Sequence, residues 1–198
     1  MALIFDTETN GLPQCRGYSD YPDYTNLEKY KNARIVQISY IITDTDYNKL
    51  EEFNTIIKRD SFSIENSQFH GITDEISDRD GIPFTEFAEL FNNSLDHVDT
   101  IIAHNILFDI NVLRAELYRY KLYKIIEKLD TKKVLCTMRH TKYLVNAKFR
   151  SGSGVKDPNL KELYRFATGK EIENQHNSQY DTLNLWTIVK TLYDKNLF

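Results

Sequence analysis

The sequence predicts an α/β fold, a mixed sheet flanked by helices, on three observations. Apolar runs of strand length dominate residues 2–57, whereas from residue 83 onward helical periodicities alternate with short strand-like runs. An apolar fraction of 41%, with thirteen Tyr and eleven Phe in 198 residues, supplies one substantial core in a chain of single-domain size. That composition excludes a disordered chain despite 27% charged residues.

Three runs rich in Ile, Val, Phe and Tyr, residues 2–5, 34–43 and 53–57, read as strands. The segment Asp44-Thr45-Asp46-Tyr47-Asn48 suits a hairpin turn joining the second to the third. Between the first two lies an insertion, residues 13–33, which carries Tyr18, Tyr21, Tyr24 and Tyr30 and a short helix capped by Thr25-x-x-Glu28. Its tyrosines are expected to pack on the domain. A helix over 83–95, a strand over 100–103 and an amphipathic helix over 106–120 follow. A strand at 133–136 precedes helical patterns at 137–145, 159–168 and 178–193, the last with Ser178 as N-cap. An antiparallel start followed by βαβ crossings gives the mixed sheet. The flexible-looking Ser151-Gly152-Ser153-Gly154 is too short to separate domains, so residues 1–198 are expected to form one unit.

The first ten residues lack the basic and apolar regions of a secretory signal, and no segment is long and apolar enough for a membrane span. An intracellular, cytoplasmic protein without membrane partners is expected. Cys15 and Cys136, far apart and outside any C-x-x-C pair, suggest neither a disulfide framework nor a zinc site. The net charge of −4 hides a segregation: residues 131–156 hold seven basic residues and no acid, leaving eighteen basic against twenty-nine acidic residues elsewhere, a net of −11. Lys148, Arg150 and Lys156 in that segment are candidates for attracting phosphates.

Four acids carry the chemistry. Residues two apart on a strand share a face, so Asp6 and Glu8 at the end of the first strand form a paired carboxylate whose repulsion a cation would relieve. Asp109 falls within the apolar arc Ile106, Ile110, Leu113 and Leu117 of the long helix. Asp181 lies one turn before Leu185 on the buried face of the last helix. No Lys or Arg lies one helical turn from either acid. Oxygen ligands alone select hard cations, Mg²⁺ first and Mn²⁺ second, and a carboxylate cage with open positions suits two ions acting on a phosphodiester. His176, five residues before Asp181, is the candidate general base.

With those residues in view, the chain resembles the DnaQ-like superfamily of 3′-to-5′ exonucleases, in the DEDDh group that contains the proofreading branch. The run from Asp6 to Gly11 (Asp-Thr-Glu-Thr-Asn-Gly) is similar to its first motif, Ala103-His104-Asn105-Ile106-Leu107-Phe108-Asp109 to its second, and His176-x4-Asp181 to its third. Further likeness lies in Arg34-Ile35-Val36-Gln37-Ile38-Ser39, Phe69-His70-Gly71-Ile72-Thr73 and Cys136-Thr137-Met138. The sister group has Tyr four residues before the last Asp, where this chain has Asn177, so the histidine type fits.

The resemblance implies a ribonuclease-H-like fold with a five-stranded mixed sheet and release of nucleoside 5′-monophosphates from a free 3′ end. It implies that Thr7 and Thr9 hold the terminal nucleotide, that Leu12 packs beside its base, and that Asn105 and Phe108 line the strand's path. Single-stranded nucleic acid or frayed 3′ ends are the partners implied, DNA ahead of RNA. The Tyr-rich insertion departs from many bacterial relatives. Two other readings stay open: an RNA-trimming oligoribonuclease, and a silent module that binds 3′ ends or a polymerase. The chain ends just after the final helix, which favours a free-standing enzyme and leaves only surface-mediated polymerase association.

Overall fold

A computed structural model describes residues 1–17, 19–172 and 177–198. The sheet has five strands, β1 (Ala2–Thr9), β2 (Ile35–Thr43), β3 (Lys49–Ile56), β4 (Thr100–Ala103) and β5 (Lys133–Cys136), in the order β3-β2-β1-β4-β5. β1 pairs antiparallel with β2, and β2 with β3. β4 runs parallel to both β1 and β5, so the sheet is mixed as expected. Helices α1 (Ser67–His70), α2 (Asp74–Asp80) and α3 (Phe84–Leu95) precede β4, and α4 (Ile106–Arg119) and α5 (Tyr123–Asp130) precede β5. After β5 come α6 (Thr137–His140), α7 (Lys142–Val145), α8 (Leu160–Thr168) and α9 (Ser178–Asp194).

Alternation along β1 divides the core. Leu3 and Phe5 join Phe87, Phe91, Ile110 and Leu113 of α3 and α4 on one face of the sheet. Ala2 and Ile4 join Ile102 and, from α9, Leu185 and Val189 on the other. β2 sits between β1 and β3 and is buried along its whole length, which accounts for its unbroken apolar run. The three parallel strands end at the same edge of the sheet, where open α/β sheets form their binding crevices.

Several elements differ from the sequence expectation. β1 continues past Phe5 to Thr9, because Asp6 to Thr9 keep pairing with β2 up to a bulge between Glu8 and Thr9. β3 starts at Lys49 rather than 53, and its charged residues Lys49, Glu51 and Glu52 mark an exposed edge strand that no apolar run reveals. The expected helix over 137–145 is two short helices broken at Thr141, whose hydroxyl donates back to the Thr137 carbonyl at 2.8 Å. The N-cap of α9 is Asn177, one residue before Ser178, with its side chain accepting from the Gln179 amide.

The insertion contains turns instead of a capped helix. The Thr25 hydroxyl donates to Asp23 at 2.6 Å and so does not cap a helix, and i→i+3 contacts such as Lys29 N to Asn26 O (2.9 Å) do not propagate. Its tyrosines pack: Tyr30 is fully buried and donates to the Pro22 carbonyl at 2.7 Å, and Tyr24 meets Tyr118 of α4 edge-on at 6.1 Å. Tyr18 lies outside the described residues. Both cysteines are free thiols. Among the described residues no helix is long and apolar enough to cross a membrane.

Candidate metal centre and substrate cleft

Strand parity builds the site. Asp6 and Glu8 continue the even-numbered face of β1, the face covered by α9, and Asp181 in the first turn of α9 meets them there. One carboxylate oxygen from each of the three lies within 4.8 Å of the other two. Thr7 continues the odd-numbered face, covered by α4, and meets Asp109. The Thr7 amide and hydroxyl both donate to Asp109 Oδ1, at 3.1 and 2.8 Å. Of the four predicted acids, three therefore form one group, and Asp109 reaches the same strand end from the opposite side.

The start of α9 is fixed by β2. Gln37, buried in β2, accepts from the Ser178 amide through Oε1 at 3.3 Å and donates through Nε2 to Asn54 at 2.9 Å and to Asn177 at 3.5 Å. One turn later the Thr182 hydroxyl donates to the Ser39 carbonyl at 3.3 Å. α4 begins at Asn105, whose left-handed backbone (φ 62°, ψ 44°) is one that Asn tolerates better than most residues. The bulge after Glu8 turns the chain out of the sheet beside the carboxylates, a common place for such irregularities.

Burial and crowding of charge raise the carboxyl pKa values here. Burial first, then the charges of Asp109, Asp181 and Glu8, hold the Asp6 carboxyl well above the usual range. Glu8 is pushed up to about 7 by burial, then by Asp181 and Asp109. Burial pushes Asp109 to about 7 against the two hydrogen bonds from Thr7, which pull it down. Carboxyls that resist ionising in one another's company, all with oxygen donors, fit a hard dication, which would let them ionise together.

Beside the acids lies a cleft of about 440 Å³. Thr7, Glu8, Thr9, Leu12 and Phe108 line it, which brings four of the five predicted nucleotide-contacting residues to one place. Leu12 stands at its mouth, 73% exposed. The fifth, Asn105, donates to the Tyr21 hydroxyl at 3.4 Å, and the Tyr21 ring packs against Phe108 at 6.3 Å. The Tyr-rich insertion thus backs the cleft wall that Phe108 forms. His176 lies outside the described residues.

The rest of the lining includes residues to which the sequence reading gave no role. Among them are Asn66, Phe69 and His70. They are tied to β1 by Asn10, whose side chain accepts from the Glu65 amide at 2.7 Å and donates to the Ser63 carbonyl at 3.1 Å. His70 accepts the Ile72 amide at Nδ1 (3.1 Å), so its proton sits on Nε2, and burial lowers its pKa. The run Phe69-His70-Gly71-Ile72-Thr73 is a motif likeness in the sequence alone; its place in the cleft depends on a contact with Asn10 more than fifty residues away.

The exonuclease family model RNase_T matches residues 3–189. The chain belongs to this family, within the DnaQ-like superfamily. No curated protein sequence matches it. Among solved structures it is similar to E. coli exonuclease I in complex with a dT13 oligonucleotide, with TM-score 0.72 and 20% identity over 96% of this chain and 40% of that one. A zinc-bound form of the E. coli exonuclease I complex with single-stranded DNA gives TM-score 0.73 and 20% identity over 100% of this chain and 42% of that one. Exonuclease X in complex with 5′ overhanging duplex DNA gives 0.58 and 16%, over 100% of this chain and 94% of that one. The likeness establishes the ribonuclease-H-like exonuclease fold, and the chain spans about two fifths of the exonuclease I chains it matches.

Proposed function

We propose that residues 1–198 act as one domain that removes nucleoside 5′-monophosphates from the 3′ end of a single strand, with DNA preferred to RNA. The observation that carries this reading is the convergence of Asp6, Glu8 and Asp181 within 4.8 Å at the side of a cleft open to solvent. Asp6, Glu8 and Asp181, with Asp109 completing the set, would hold two Mg²⁺ ions, or Mn²⁺ in their place. Bound there, a divalent cation supplies positive charge at the scissile phosphate and acidifies water.

The chain's own groups do the rest. The terminal nucleotide occupies the cleft between Leu12 and Phe108, with Thr9 and Asn105 at its sides. Thr7 orients Asp109 through two hydrogen bonds to one oxygen, which leaves the other oxygen for ligation. His176 takes a proton from the attacking water. The new bond joins that water oxygen to phosphorus, and the bond from phosphorus to the 3′ oxygen of the preceding nucleotide breaks. That oxygen takes up a proton from solvent and becomes the next 3′ hydroxyl.

The decisive assay incubates 5′-labelled single-stranded DNA and RNA with the protein in Mg²⁺, Mn²⁺, Zn²⁺ or EDTA. Stepwise shortening from the 3′ end is expected in Mg²⁺ and Mn²⁺, faster on DNA, and absent in EDTA and in Asp6→Ala. Faster RNA shortening would redirect the reading to an oligoribonuclease, and no metal-dependent shortening of either strand would sink it. His176→Ala is expected to cost about 10² to 10⁴ in rate while leaving metal affinity near that of the wild type.

A further inference from the structure

We propose that the hairpin spanning residues 147–156 is a stacking platform for the single strand that trails from the cleft, an inference that rests on the exonuclease reading above. Its position comes first. β1, β4 and β5 run parallel and end at one edge, so the chain leaving β5 at Thr137 emerges on the same side as the Asp6–Glu8 pair and the Asn105 start of α4. Beyond α7 it doubles back: Lys148 bridges Val155 antiparallel, and the Lys156 amide donates to the Ala147 carbonyl at 2.9 Å. The Gly152 amide closes the tip on the Phe149 carbonyl at 2.9 Å, and Gly152 and Gly154 take the left-handed φ values of 76° and 77° that such a tip requires. The hairpin's foot is anchored to the catalytic edge, because His104, the residue before Asn105, bonds the Pro158 carbonyl through Nε2 at 3.1 Å and Thr137 through Nδ1 at 3.0 Å.

The surface has two chemistries in alternation. Phe149 is 52% exposed, with its ring edge resting over Gly154, and Tyr143 on the neighbouring α7 is 80% exposed. Phe149 lines a slot of about 430 Å³ together with Lys142, Lys156 and Asp157. Those two lysines are neutralised, Lys142 by Asp157 at 3.0 Å and Lys156 by Glu162 at 2.5 Å, so they offer mainly their aliphatic stems to the slot. Lys148 and Arg150, on either side of Phe149, have no carboxylate partner among the described residues. An exposed aromatic ring with a cation before and after it along the hairpin, neither matched by a carboxylate among the described residues, suits a chain that alternates flat bases with phosphates, and an apolar peptide would leave both charges uncompensated. Of the three phosphate-attracting candidates in the sequence, Lys156 thus drops out and the Lys148 and Arg150 pair stays, while Lys132 and Lys133 fall at the opposite end of β5.

The test uses the whole chain and two substrates, a 20-nucleotide single strand and a dinucleotide too short to reach beyond the cleft. Phe149→Ala/Tyr143→Ala is expected to raise KM for the long strand about 10-fold or more, with kcat unchanged and dinucleotide kinetics as in the wild type. Phe149→Trp should restore the long-strand KM. Lys148→Gln/Arg150→Gln should flatten the slope of log KM against log salt by about 0.7 for each phosphate that is no longer neutralised. Binding of a fluorescent 20-mer in EDTA, read by anisotropy, follows the platform independently of catalysis. If the wild type binds the 20-mer more tightly than the aromatic variant yet hydrolyses nothing, the exonuclease reading fails and the platform stands. Equal 20-mer affinity in wild type and aromatic variant overturns the platform, including the case in which the variant loses only a self-association seen by sedimentation. An equal rise in KM on the dinucleotide also overturns it.

Discussion

Thr7 shows how much of this site depends on one side chain. The resemblance assigns it to the terminal nucleotide, yet its amide and hydroxyl both point to Asp109, and the residue itself is buried. A donor to a charged acceptor contributes about 1.5 to 3 kcal/mol. Thr7→Val keeps the shape and removes the hydroxyl, so kcat is expected to fall about 10-fold or more with KM little changed, while Thr7→Ser stays near wild type. A rise in KM alone would return Thr7 to the nucleotide. Asp6, Glu8 and Asp181 were legible because strand and helix periodicities put acids where apolar residues belong. Asn10, Gln37 and His70 fall within motif likenesses, but their roles were not legible, since each is defined by a partner beyond its own element: Asn10 by Glu65, Gln37 by Ser178, and His70 by a cleft it shares with Thr7 and Glu8. A single sequence offers no local signal for such pairs.

At the scale of elements, the position of α4 against the sheet is set by a buried ion pair. Arg34, just before β2, donates from Nε to Glu116 of α4 at 2.6 Å and forks onto Asp60 at 3.1 and 3.0 Å, with Phe62 stacked 4.5 Å away. Both members of the first pair are nearly inaccessible. Removing Arg34 leaves the buried Glu116 with Arg119 alone, at 3.5 Å and without a close hydrogen bond, so Arg34→Ala is expected to cost about 3 to 5 kcal/mol in denaturant unfolding. It should lower kcat as well, because α4 carries Asp109. A cost below about 1 kcal/mol would mean that solvent relieves Glu116 and that the pair does not fix α4. Of the elements that sequence reading placed, β2, α3, α4, α8 and α9 owe their legibility to long apolar periodicities, and the short β4 and β5 to their alternation with helices. Those it missed or misdrew were short or exposed. α5 spans only two turns, with Ile125, Ile126 and Leu129 as its apolar contribution, and β3 hides its strand character behind edge charges.

Across the whole molecule, charge is segregated, with basic residues gathered over 131–156 and three of the many acids elsewhere crowded at the cleft. The cleft's share makes stability depend on pH and metal. Glu8 and Asp109 both sit near 7 in the folded protein against ordinary values of 4.5 and 3.8. For a carboxyl raised on folding, the folded state binds more protons than the unfolded one between the two values. Its contribution to stability is complete below the ordinary value and is lost as pH rises through about 7. His104, lowered to about 4 by burial, runs the other way: its stability is present above its ordinary value of 6.5 and is lost as pH falls towards 4. Glu8→Gln separates the two. In EDTA the variant should match the wild type near pH 4 and exceed it at pH 8 by about 1 to 3 kcal/mol, a gap of a few degrees in Tm. Saturating Mg²⁺ at pH 8 should close or reverse the gap, since a cation at 100 times its Kd stabilises the wild type by about 2.7 kcal/mol and the variant has lost a ligand. A gap in EDTA that does not change with pH would show that Glu8 ionises normally and that repulsion in the cleft is absorbed elsewhere. A gap that opens with pH but is unmoved by Mg²⁺ would keep the crowded carboxylates and remove the cation that the proposed chemistry requires.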